Sequence, residues 1–298
     1  MWRFFRALWY RLGPWPRALM QAVALLLVVH VFVVRWVMVE STSMFATLRP
    51  GDLLTVQRWP IWTGFERGDI VVFRDPLRDD VNMSARPLLV KRIAGMPGDV
   101  VQLRDGLLFV NDERDPLPST GTYAYLVRLR SGRSPVALVD MLGLPQGIVR
   151  SGRSFIELPL NAELADSIGA SPDVVAVERM SSATGAPAHI FPFSRRFAWN
   201  SDDYGPITIP RKGDTLRIDV DNIPLYDRLI GHYEGHTLQV DGNELLMDGA
   251  PLDRYVVEQD YYFVLGDSRH YSADSRFWGF LPADHLVGRG GPVLIHAH

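Results

Sequence analysis

Three short segments carry side chains suited to acyl transfer. The first, ESTSMFATLRPGD at 40–52, offers the hydroxyls of Ser41, Thr42, Ser43 and Thr47 among Met44, Phe45 and Leu48. A serine nucleophile needs a base within hydrogen-bond reach and donors aimed at the developing oxyanion, and a turn between helix and strand supplies backbone N–H groups for the second task. The second, LLVKRIAGMPGD at 88–99, holds Lys91 between Leu89 and Ile93, which share its face if the run is a strand. Of the 31 basic residues only Lys91 and Lys212 are lysines, and a lysine amine, unlike a guanidinium, can give up its proton and act as a base. An apolar setting disfavours the charged amine, and lowering its pKa by roughly two or three units makes it a base near neutral pH. The third, YYFVLGDSRHYSADSRFWGFLP at 261–282, crowds Asp267, Arg269, Ser272, Asp274, Ser275 and Arg276 into ten residues. Each segment also has an ordinary reading: helix-exit serines cap, strand lysines snorkel or meet a carboxylate, and Asp/Arg/Ser clusters fasten loops.

Other chemistries have weaker support. His270 lies between Asp267 and Ser272, which makes a histidine-based triad a rival, although adjacency in sequence does not create triad geometry. His189, His232, His236 and His285 show no metal-ligand spacing, HYEGH at 232–236 being the nearest approach. With no cysteine, disulfides, thiol catalysis and thiolate metal sites are excluded. A net charge of -3 gives no support for a nucleic-acid partner. No cofactor is expected.

The elements that must position these residues are legible from pattern. ALMQAVALLLVVHVFVV at 18–34 continues past Arg35 into WVMV, which predicts one transmembrane helix over 18–39. The 1–17 segment before it has Arg3, Arg6, Arg11 and Arg17 and no acid, so the positive-inside rule leaves it cytoplasmic and exports the rest. Trp2, Trp9, Tyr10 and Trp15 suit an interfacial belt, and Arg35 can snorkel outward. A cleaved secretory signal is the competing reading, but no small-x-small site promptly follows the apolar run. After residue 50, Gly-Asp followed by an apolar run recurs in GDLLTV, GDIVVF, GDVVQL and GDTLRI, each a turn entering a strand. Asp-Gly between alternating runs at 100–110 and 237–247 predicts two hairpins. The expectation is a mostly β, antiparallel catalytic core over 40–110 and 255–298, with 111–254 as a large inserted β-rich lobe. ELADSIGA at 163–170 reads as a short helix, and WPIWTGF at 59–65 either touches the membrane surface or packs in a hairpin.

Taken together, STSMFATL (41–48), KRIAGMPGD (91–99) and GDSRHYSADSR (266–276) followed by FWGFLP closely resemble the motifs of bacterial type I signal peptidases, which are membrane-anchored serine endopeptidases. The resemblance implies Ser43 as nucleophile and Lys91 as general base. It further implies an oxyanion hole from the Ser41 hydroxyl and the Ser43 N–H, with Ser272 orienting the Lys91 amine and Asp267, Asp274 and Arg276 bracing the site. Met44, beside the nucleophile, is a candidate substrate-binding residue. Ala46 and Ser268 stand where the family usually has Pro and Asn, and neither departure removes a proposed chemical group. The implied substrates are signal peptides of exported preproteins, with small residues at −3 and −1. The implied location is the inner membrane of a bacterium, with the catalytic part outside the cytoplasm. The same motifs leave open a narrow-substrate pilus or conjugation-system maturation peptidase, or an inactive membrane-anchored binding relative. Oligomeric state is not legible.

Overall fold

The computed structural model describes residues 13–132, 138–139, 142, 144, 149–152, 155–182, 189–242 and 244–296. The expected cytoplasmic segment falls largely outside these, including Arg3, Arg6, Arg11, Trp2, Trp9 and Tyr10.

The chain opens with helix α1 (Pro14–Phe32). Here the expected span over 18–39 is corrected: the helix stops at Phe32, and Val34–Met38 is strand β1, paired with β2 (Leu53–Gln57). The change of state follows from residue type, because Val34, Trp36 and Val37 favour a pleated surface once a neighbouring strand is available. Among the described residues no helix is long and apolar enough to cross a membrane.

Helix α2 (Pro60–Thr63) precedes β3 (Ile70–Arg74) and β4 (Leu88–Gly95). In β2 burial alternates, with Leu54 and Val56 inside, whereas β3 buries Val71, Val72 and Phe73 in succession because both its faces are covered. Strands β5 (Val100–Arg104) and β6 (Leu107–Val110) form the first expected Asp-Gly hairpin, with Asp105 and Gly106 both at positive φ as a two-residue primed turn demands. They are followed by β7 (Glu113–Asp115), β8 (Tyr123–Leu129), β9 (Arg150–Ser151) and β10 (Phe155–Leu160). The predicted short helix is α3 (Ala162–Gly169), capped by the Asn161 side chain on the Leu164 N–H. Beyond it lie β11 (Val174–Arg179), β12 (Tyr204–Thr208), β13 (Thr215–Arg217) and helix α4 (Ile223–Arg228). The second expected hairpin is β14 (Leu238–Asp241) with β15 (Glu244–Met247), joined by β16 (Ala250–Pro251). The chain closes with β17 (Arg254–Val256), β18 (Tyr261–Leu265), helix α5 (Ser275–Trp278), β19 (Leu281–Pro282) and β20 (Leu286–Ile295).

The principal sheet has seven strands in the order β1-β2-β20-β3-β4-β18-β19, all antiparallel pairs. One face packs Val39, Met44, Leu48, Leu54, Val56, Val72, Val90 and Val287; another cluster gathers Phe73, Ile93, Val264 and Trp278. The expected inserted lobe, 111–254, is packed in two ways. Strands β8, β10 and β11 with α3 have their own cluster of Val127, Ile156, Leu158, Ala165 and Ile168. Residues from Ile190 to Tyr255 instead share a core with Val101, Leu103, Phe263 and Phe280, and β12 pairs directly with β5.

Candidate active site

Ser43 sits in the turn between β1 and β2, and that turn is anchored from both ends. Gly51 N donates to Val39 O at 2.7 Å, Val39 N donates to Asp52 O at 2.9 Å, and Leu48 N reaches Met44 O at 2.8 Å. Val39, Met44 and Leu48 plug the turn into the core beneath it. Met44 is wholly buried there and holds the nucleophile turn to the sheet.

Lys91 lies near the middle of β4, opposite Val71 of β3, and is 3% exposed. Its Nζ donates to Ser43 Oγ at 2.6 Å and to the Val90 carbonyl at 3.0 Å. Burial brings the amine down to about 8, against the opposing pull of Asp274, Asp75 and Asp267, none close enough for an ion pair. Ser41 Oγ stands 3.0 Å from Ser43 Oγ. The Ser43 carbonyl is occupied by the Ser268 N–H at 3.0 Å, while no described residue takes up the Ser43 N–H as a donor. A serine hydroxyl, a buried amine of depressed basicity, a second hydroxyl and an uncommitted N–H therefore converge on one point.

The supporting carboxylates divide their work. Asp267, 1% exposed, receives Arg92 in a two-pronged bond, Nε at 2.8 Å and Nη2 at 2.6 Å, and the Thr47 hydroxyl at 2.5 Å. It thereby ties the strand that carries Lys91 to the turn that carries Ser43. Asp274 and Arg276 are both fully buried and paired, Nε to Oδ1 at 2.8 Å and Nη2 to Oδ2 at 2.9 Å. Burial opposes ionisation of Asp274, but Arg276 and the Gly266 N–H hold its carboxyl below the usual range. The Ser272 side chain is buried beside Asp274, whose carboxyl it helps to lower, and Lys91 donates to Ser43 and Val90. Ser272 also packs against Gly266, where a Cβ on the glycine would collide with the serine side chain.

Several contributors carry no motif of their own. Thr122 Oγ1 donates to Phe45 O at 3.2 Å and lies 2.9 Å from Ser268 Oγ, while Thr120 Oγ1 meets Thr47 Oγ1 at 2.5 Å. Arg92 stands inside the KRIAGMPGD motif, and its neighbour Lys91 draws attention from it. The rival triad does not assemble: His270 Nε2 meets Asp202 at 2.9 Å and its Nδ1 accepts the Ala124 N–H at 3.0 Å, so neither nitrogen faces a serine. His236 pairs with Asp248 and Glu258, and no group of histidine and acidic side chains among the described residues is arranged to hold a metal ion.

Comparison with known proteins gives a consistent picture. The family model described as "Signal peptidase, peptidase S26" matches residues 12–133 and 205–294. Signal peptidase I of Bacillus licheniformis is 38% identical over 104 residues, 35% of this chain and 52% of that protein. Signal peptidase I U of Bacillus subtilis is 32% identical over 120 residues, 40% of this chain and 57% of that protein. Signal peptidase I of Haemophilus influenzae is 22% identical over 277 residues, 91% of this chain and 66% of that protein. The chain thus spans about half the length of the Bacillus relatives it matches.

Proposed function

The chain belongs to the signal peptidase family, peptidase S26, and from that premise we propose that it is a membrane-anchored serine endopeptidase that removes signal peptides from exported preproteins. Ser43 is the nucleophile and Lys91 the general base. The observation that carries the reading is the 2.6 Å bond between Lys91 Nζ and Ser43 Oγ, made by an amine that burial has brought down to about 8. Neutral Lys91 takes the Ser43 proton as Oγ attacks the scissile carbonyl. The oxyanion is held by the Ser41 hydroxyl and the Ser43 N–H. The ammonium formed on Lys91 then protonates the departing amine, and the same amine activates the water that hydrolyses the acyl-enzyme. Two residues suffice because an amine has no tautomer for a carboxylate to fix. Asp267, Asp274 and Arg276 brace this arrangement, and Ser272, beside Asp274, orients the Lys91 amine.

Membrane attachment through the N-terminal segment, with the catalytic part outside the inner membrane of a bacterium, is supported by the apolar run and its acid-free basic flank. It is also supported by exposed apolar side chains around one edge of the principal sheet: Trp36 and Met38 on β1, Trp62 on α2, and Leu294 and Ile295 on β20. The test is cleavage of a preprotein by purified full-length protein. Ser43→Ala and Lys91→Arg should each lose activity by roughly a thousandfold or more while remaining folded, since a guanidinium cannot serve as base. Normal processing by either variant would refute the assignment.

A further inference from the structure

Thr122, at the entry to β8, grips the nucleophile turn and the GDSRHYSADSR segment at once. It is 2% exposed and forms a parallel bridge with Ser268: its N–H donates to Asp267 O at 2.8 Å, and its carbonyl accepts the Arg269 N–H at 2.9 Å. Its hydroxyl donates to Phe45 O at 3.2 Å and therefore accepts from Ser268 Oγ at 2.9 Å, having a single proton to give. Ser268 is itself wholly buried and donates its N–H to the Ser43 carbonyl at 3.0 Å. One threonine thus fixes the carbonyl of Phe45, just past the nucleophile, and the residue that holds the nucleophile's own carbonyl.

Both positions at which the motifs depart from family usage meet this same segment. Ala46, where a proline would have no N–H, donates to Thr120 O at 3.4 Å, and Ser268 supplies the hydroxyl that meets Thr122. Thr120 Oγ1 also meets Thr47 Oγ1 at 2.5 Å, so 120–122 runs as a strap along 45–47. The strap leads directly into the β8–β10–β11 sheet, which has its own apolar core. Displacing a catalytic group by about 1 Å costs on the order of a hundredfold in rate, and removing a buried hydroxyl leaves its partners unpaired. Resting on the reading of Ser43 and Lys91 given above, we propose that Thr122 is a positioning residue for cleavage: its hydroxyl keeps the Ser43 turn in register with Lys91, and through it the packing of the β8–β10–β11 sheet governs the chemical step. Thr122 touches none of the reacting atoms; its bonds go to Phe45, Asp267, Ser268 and Arg269.

The test is preprotein cleavage by the purified full-length protein, with amide hydrogen exchange of residues 42–48 measured alongside. Thr122→Val keeps the side-chain shape and removes the hydroxyl. Its kcat should fall roughly tenfold or more with KM within about twofold, and exchange in 42–48 should quicken roughly tenfold while β2 and β3 exchange as before. Thr122→Ser keeps the hydroxyl and should hold kcat within about threefold of the unaltered protein. Ser268→Ala removes one of the same bonds from its other end, so adding it to Thr122→Val should slow the enzyme by no more than about twofold further. Where Thr122→Val does not fold, Ser268→Ala alone decides, with kcat expected to fall about threefold or more. Unchanged kcat in the deciding variant, a loss confined to KM, an equal loss in Thr122→Ser, or additive effects of the pair would overturn the proposal. Absence of cleavage by the unaltered protein would instead sink the functional reading; exchange in 42–48 then decides for Thr122, and exchange that does not quicken in Thr122→Val, or in Ser268→Ala, overturns its role.

Discussion

Replacing Lys91 with Met should stabilise the protein, and by an amount that depends on pH in a specific way. The amine has an ordinary value of 10.5 and is brought down to about 8 in the fold. Each unit corresponds to about 1.4 kcal/mol, so the charged form is disfavoured on folding by about 3 kcal/mol. The sign follows from proton counting. Between pH 8 and 10.5 the unfolded chain holds a proton on this amine that the folded chain has released, so unfolding stability rises with pH through that window. Below pH 8 both states are protonated and the whole penalty is present; above 10.5 neither is, and it is gone. Lys91→Met should therefore relieve about 3 kcal/mol at pH 7, for a net advantage of about 2 kcal/mol once the lost bonds are subtracted, and that advantage shrinks steadily as pH approaches 10.5. Loss of the bonds to Ser43 and Val90 subtracts about 1 kcal/mol at every pH and does not alter the slope. Urea unfolding followed by tryptophan fluorescence, in matched detergent at several pH values, measures the difference. An advantage that does not vary with pH, or one smaller at pH 7 than at pH 10, would refute the reasoning that burial rather than a carboxylate governs this amine.

Three further perturbations test the supporting structure. A Cβ on Gly266 would stand 2.5 Å from the Ser43 carbonyl oxygen and closer still to Ser272 Oγ, so Gly266→Ala should cost about 1–3 kcal/mol and lower the cleavage rate; unchanged turnover would contradict the described packing. Asp274→Asn leaves Arg276 buried and unpaired and should lower unfolding stability by about 3–5 kcal/mol, read from the urea midpoint. Met44→Ala removes the peg beneath the nucleophile turn and should cost about 2–5 kcal/mol, read from the urea midpoint.

The sequence is informative where chemistry and fold are written in contiguous runs. Lys91 was legible because alternation on one strand puts Leu89, Lys91 and Ile93 together, and the Asp105-Gly106 turn because only a few residue types accept its backbone. Contacts between distant segments are not encoded in that way. Thr122 reaches Phe45 and Ser268 across 77 and 146 residues, and nothing in its neighbourhood announces the role. The stretch 34–38 illustrates the reverse difficulty: an apolar run suits a helix in lipid or a strand in a sheet, and the presence of β2 decides. Met44 and Ser272 stand in or beside the motifs, yet motif membership does not say which way a side chain faces. The first points into the core and the second packs on a glycine.

The most direct test of the central claim is the pH dependence of preprotein cleavage by the purified full-length protein, with Ser43→Ala as control. If Lys91 is the base, the rate rises with a limb centred near pH 8, where the buried amine gives up its proton, and no cleavage at any pH appears in the control. A rate already maximal at pH 5, or cleavage that survives in Ser43→Ala, would contradict it.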